Sequence, residues 1–177
     1  MQKHLWRLLA LSERLSASRI VLTIKAAISS TARISLENKL KQLDSGIWVF
    51  DSGYRGECPK EETDQMAYGL WMQYRFPDVL WFHVPNETGT KSGPQFVEKR
   101  RKMGVRSGVS DNVILTHGFN HKCGLIELKR RDKIKSNVSP SQIEVLECAI
   151  AEGHFGAIAY GIEELKRATL FYFGLDE

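Results

Sequence analysis

The segment Gly124-Leu-Ile-Glu-Leu-Lys-Arg130 constrains this chain more than any other. Successive side chains on a β-strand point to opposite faces, so Glu127 and Lys129 share one face while Ile126 and Leu128 share the other. A strand this apolar belongs inside a sheet, where a carboxylate and an ammonium are expensive to desolvate. An isolated Glu-x-Lys is often no more than an ion pair on an edge strand. A second signal is needed to give it chemistry.

Asp111 supplies one. It lies upstream in Gly108-Val-Ser-Asp111-Asn-Val-Ile-Leu115, at the mouth of the preceding apolar run. If the two runs pair as a hairpin through His117-Gly-Phe-Asn-His-Lys122, Asp111 lands beside Glu127 at one end of the sheet. Two carboxylates held that close repel unless a cation lies between them, and hard oxygen ligands suit Mg²⁺ or Mn²⁺. Such an ion lowers the pKa of bound water and offsets charge on a phosphate, while Lys129 is placed to orient that water. Gln142 shares a helical row with Leu146 and Ala149, so it borders an apolar face and needs a polar partner. That partner is either a plain core or helix-cap group or the active-site cluster.

The rest of the chain alternates between helix and strand signals. Ile47–Phe50 reads as a strand, and Asp51 to Pro59 as a turn-rich boundary. Glu61–Arg75 reads as a helix with Ala67, Leu70, Trp71 and Tyr74 forming its apolar stripe, ended by Pro77. Strands are expected at Val79–Val84, Val113–Leu115, Leu125–Leu128 and Phe155–Tyr160. Further helices are expected around Phe96–Met103, from Ser139-Pro140 to about Glu152, and over Ile162–Leu170. The implied class is α/β, a small mixed sheet flanked by helices.

Composition excludes some classes. No stretch approaches the ~18 uninterrupted apolar residues of a membrane span. Cys58, Cys123 and Cys148 lack zinc-ligand spacing and are odd in number, which fits a reducing cytosol better than a disulfide framework. The net charge is +4. Between Met1 and Ser45 eight Lys or Arg face three Asp or Glu, so this segment holds the entire excess. Leu5, Leu8, Leu9 and Leu15 recur at helical spacing, and Ser35–Leu43 reads as another short helix. Residues 1–55 therefore read as a basic, mainly helical extension preceding a domain over 56–177. The extension serves packing or dimerisation, DNA contact, or organelle targeting.

The ordered landmarks resemble the VRR-NUC family of PD-(D/E)XK nucleases. They are Glu62-x-x-Gln65, His83-Val-Pro-Asn86, Arg101-Lys-Met-Gly104, Gly108-Val-Ser-Asp111, Ile126-Glu-Leu-Lys129 and Ser139-Pro-Ser-Gln142. The resemblance implies a restriction-endonuclease-like core and a metal-dependent DNA endonuclease. It implies Asp111, Glu127, the Leu128 carbonyl and Glu62 as ligands of Mg²⁺ or Mn²⁺, Lys129 as the catalytic lysine, and Gln142 beside them. Ser110 stands where the family usually has proline. By helical angle Glu62 lies well away from the expected apolar stripe. Lys91, Lys99, Arg100, Arg101, Lys102 and Arg106, with His83 and Asn86, would line a DNA track. Small members resemble junction-resolving homodimers acting on branched DNA. A flap or restriction-like duplex nuclease, or a DNA-binding module that does not cut, are the other readings.

Overall fold

The computed structural model describes residues 41–85 and 93–175, all within the unit Leu40–Glu177. In chain order the elements are β1 (Lys41–Gln42), β2 (Trp48–Phe50), α1 (Glu61–Arg75), β3 (Trp81–His83), α2 (Pro94–Lys102), β4 (Asn112–Ile114), β5 (Gly124–Lys129), α3 (Pro140–Ala151), β6 (Phe155–Tyr160) and α4 (Ile162–Phe173), with a short 3₁₀ turn at Lys133–Lys135. The six strands form one mixed sheet in the order β1-β2-β6-β5-β4-β3. β6 runs parallel to β2 and β5, while β3, β4 and β5 form an antiparallel meander. Among the described residues, no helix is long and apolar enough to cross a membrane.

Strand alternation divides the side chains between two faces. On one, Phe155 packs against Phe171 and Tyr172 of α4, and Trp81 packs against Tyr68 of α1. Thr169 Oγ1 donates to the Leu165 carbonyl at 2.9 Å, so the Tyr68 hydroxyl is the donor in their 2.8 Å bond, tying α1 to α4. On the other face Ile47, Val49, Ile158 and Tyr160 cluster with Leu146 of α3. β6 is buried at all six positions because paired strands flank it and helices cover both its faces.

Three expectations change. The described part of the helix expected over Ser35–Leu43 is strand: Lys41 pairs with Val49 and Gln42 with Trp48. A two-residue edge strand has no periodicity to read, and residues 1–40 lie outside the described residues. Because β2 pairs with β6, Lys41–Phe50 belongs to the main sheet and not to an extension ending at residue 55. Third, the α1 stripe is displaced. Leu70 is 69% exposed and Tyr74 89%, whereas Asp64, Tyr68 and Met72 face inward.

Gly108 fixes where the chain enters β4. Its φ is +80°, and a Cβ there would overlap the Ser141 carbonyl in the first turn of α3. Gly104 has a similar φ of +85° but open space around it. Gly104→Ala should cost about 1–2 kcal/mol from backbone conformation alone. Gly108→Ala should cost visibly more, because it also pushes β4 away from α3. Urea unfolding of the two variants measures the difference.

Candidate active site

Asn112 lies opposite Ile126 in the β4–β5 ladder, so Asp111, one step beyond, faces Glu127. Asp111 Oδ2 accepts the Leu128 backbone N–H at 3.0 Å, continuing the ladder with a side chain just before β4 begins. A residue's N–H and C=O point to the same edge of its strand, so the Leu128 carbonyl is directed toward Asp111 as well. The Asp111 carbonyl is held by β3: it accepts from Val84 N–H and from His83 Nδ1, both at 2.8 Å. A carbonyl only accepts, so His83 carries its proton on Nδ1 in this contact.

Glu127 is fully buried, and Lys129 is 6% exposed. Lys129 Nζ lies 2.9 Å from Glu127 Oε1. Gln142 Nε2 donates to the same oxygen. The Gln142 amide is oriented by its other end: Oε1 accepts from Ser139 N–H at 2.8 Å, within a capping box that starts α3. Both partners weighed for Gln142 are therefore its partners. Capping holds the carbonyl end, which leaves the NH₂ for Glu127.

Glu127 Oε2 is buried without a donor. Burial pushes the Glu127 carboxyl up to about 8. The adjacent Asp111 carboxylate pushes in the same direction, and Lys129 opposes both. Two ionised carboxylates can only accept hydrogen bonds, so their contact calls for either a shared proton or a cation. The orphaned Oε2, on a carboxyl that has Asp111 beside it, fits a hard divalent cation on chemical grounds. Among the described residues, no three His, Cys, Asp or Glu side chains converge on a metal-sized site. The protein oxygens that such an ion would meet here are those of two carboxylates and the Leu128 carbonyl.

Glu62 is not joined to this pair; it is exposed on α1. Its neighbour Glu61 is turned inward, accepting from Arg130 N–H at 3.1 Å and from the Ser136 hydroxyl at 2.5 Å. Gln65 and Asn112 exchange paired amide hydrogen bonds of 2.8 and 2.9 Å. Together these contacts pin α1 to the strands on either side of the site. The available signal was Asn112, an amide directly after Asp111 inside an apolar run, which needs a buried partner.

The basic residues divide. Lys99, Arg101 and Lys102 are exposed on or beside α2, with Lys102 3.8 Å from Glu98. Arg100 is partly buried over the Phe96 ring, and Arg106 pairs with Glu144 of α3 at 3.4 Å. Asn86 and Lys91 lie outside the described residues.

Among solved structures the chain is similar to a VRR_NUC domain protein, with 22% identity and a TM-score of 0.54, over 70% of this chain and 94% of that one. Likeness at that level shows the fold. The chain shares that protein's fold, and the expected α/β class, a mixed central sheet flanked by helices, is present. No family model matches the sequence, and no curated protein does.

The ionisation of Glu127 gives stability a definite pH dependence. The folded chain holds a proton on Glu127 up to about pH 8, whereas the unfolded chain loses it near 4.5. Between those values the native state binds more protons, so stability must fall as pH rises. Buried Asp64, also raised chiefly by burial, acts in the same sense. In EDTA the thermal midpoint should decline from about pH 5 to pH 8 and then level. Gln142→Ala, which strips a donor from Glu127, should lower stability by about 1–3 kcal/mol. Calorimetry across that range checks both.

Proposed function

We propose that this chain is a metal-dependent endodeoxyribonuclease that hydrolyses phosphodiester bonds. The observation that carries the reading is the buried Glu127 carboxylate beside Asp111, with one oxygen fixed by Lys129 and Gln142 and the other left without a donor. A purely structural ion pair gains nothing from a second carboxylate beside it. Asp111, Glu127 and the Leu128 carbonyl would hold Mg²⁺ or Mn²⁺. Such an ion, when bound, makes hydroxide available near neutral pH and offsets charge on the phosphate.

The chain's own residues supply the rest. Lys129 keeps a positive charge beside Glu127 where a phosphate oxygen would gain negative charge. Gln142, locked by the capping box, prevents Glu127 from rotating. His83 holds the backbone of Asp111, which makes it a positioning residue. Lys99, Arg101 and Lys102 present cations to the DNA backbone without reading its sequence.

Within this reading branched DNA is the preferred substrate and the working form is a homodimer, because paired cuts on opposite strands need two related sites. The exposed Phe82 on edge strand β3, with exposed Leu80 just before it, offers a surface for pairing with a second copy. Residues 1–40, basic overall, contribute to dimerisation or to DNA contact, and the protein works in the cytosol.

The test is cleavage of four-way junction, flap, duplex and single-stranded DNA with Mg²⁺, Mn²⁺ or EDTA. Wild type should cut only with metal. Asp111→Ala and Lys129→Ala should each lose roughly 100-fold or more of the rate while still binding DNA. Undiminished cutting by either variant overturns the site. Metal-dependent binding without any cleavage favours a DNA-binding module.

A further inference from the structure

Helix α2 has a feature that the hydrolytic site does not use. None of its residues is buried, although Phe96 and Val97 lie together on one face and Met103 caps that face one turn beyond Arg100. Phe96 is 50% exposed and Met103 72%. Apolar side chains on a helix ordinarily face a core, so an apolar face with no buried residue calls for an external occupant.

Charge narrows the choice of occupant. The remaining faces carry Lys99, Arg101 and Lys102 against a single acid, Glu98. Lys102 is engaged with Glu98 at 3.8 Å, while Lys99 and Arg101 have no acidic partner among the described residues. An apolar protein surface has no need of this surrounding charge; a polyanion with flat apolar faces does. The Arg100 guanidinium lies over the Phe96 ring at 5.8 Å from its centroid, restraining the ring and covering one of its faces. Phe96 nonetheless remains half exposed.

Chain connectivity places this surface close to the scissile position. Arg106 pairs with Glu144, and Gly108 packs on Ser141, so the segment after α2 is fixed to the first turns of α3 beside Gln142. Three residues after Gly108 comes Asp111.

We propose that α2 is a contact surface for unpaired bases in DNA, with Phe96 and Met103 stacking on them while Lys99 and Arg101 hold the flanking phosphates. The proposal rests on the nuclease reading above and deepens it, since it assigns the preference for branched over continuous DNA to named side chains. Stacked duplex bases would first have to be unstacked at a cost of a few kcal/mol. Bases at a fork, flap or junction are already open, and stacking on an aromatic ring is tolerant of base identity.

The experiment uses the full chain in EDTA with two labelled DNAs of equal length, a continuous duplex and a fork carrying 2-aminopurine at its first unpaired position. Binding is read by anisotropy and stacking by 2-aminopurine fluorescence. Wild type should bind the fork more tightly and quench the probe. Phe96→Ala should weaken fork binding by about tenfold, well beyond its effect on duplex, and abolish quenching. Phe96→Trp should restore both. Lys99→Ala with Arg101→Ala should weaken both DNAs together and flatten the salt dependence. Fork preference and quenching that survive Phe96→Ala overturn the proposal even where cleavage is normal. Fork preference that depends on Phe96 in a protein that never cleaves sustains it and overturns the nuclease reading instead.

Discussion

Everything around β5 is organised by a buried carboxylate that is only partly compensated. Glu127 is held at one oxygen by Lys129 and Gln142, and its other oxygen meets no donor. Breaking such a pair leaves an uncompensated charge, and an apolar replacement of similar volume is often more stable. The arrangement is therefore a poor way to build stability. It becomes intelligible under the proposed function, in which the energy withheld from folding would be recovered on binding a cation. The Asp111 carboxylate makes the same point, because proximity to Glu127 is unfavourable in the cation's absence.

The sheet explains why this cluster is accessible. α3 covers β5 and β6 on the face that carries Glu127 and Lys129, but β4 and β3 extend beyond it. Leu115 and Phe82 are consequently exposed on that side, and Asp111 stands at the border between covered and open sheet. A rigid pair of strands holds the carboxylates, and the flank over β4 and β3 is left open. Glu61, Gln65 and His83 fix the backbone around the cluster from α1 and β3. Precision here comes from strands and caps.

Legibility in the sequence followed the strength of local constraint. β6 and α3 were readable because a buried parallel strand is continuously apolar, and because Ser139-Pro140 opens α3 as Gly153 follows its end. Alternation in β5 gave the shared face of Glu127 and Lys129, and the β4–β5 hairpin brought Asp111 to it. α1 was misread for a physical reason. Ala67, Leu70, Trp71 and Tyr74 satisfy a helical stripe, yet Tyr68 and Met72 form the inward row with Asp64. A buried Asp breaks an apolar pattern, and it is tolerated because it accepts the Ile162 N–H at the start of α4. The same rotation turns Glu61 inward and leaves Glu62 exposed. The β1 strand was illegible because pairing with β2, not its own residues, determines it.

The most direct test of the central claim compares wild type with Glu127→Gln by thermal unfolding at pH 8, in EDTA and in excess Mn²⁺. Glutamine keeps the volume and can still bond to Lys129 or Gln142 through one of its polar atoms, but it brings no charge to desolvate. Mn²⁺ should raise the midpoint of wild type and leave that of Glu127→Gln unchanged. A variant that Mn²⁺ stabilises as much as wild type would show that Glu127 is a structural ion-pair partner and not a cation site.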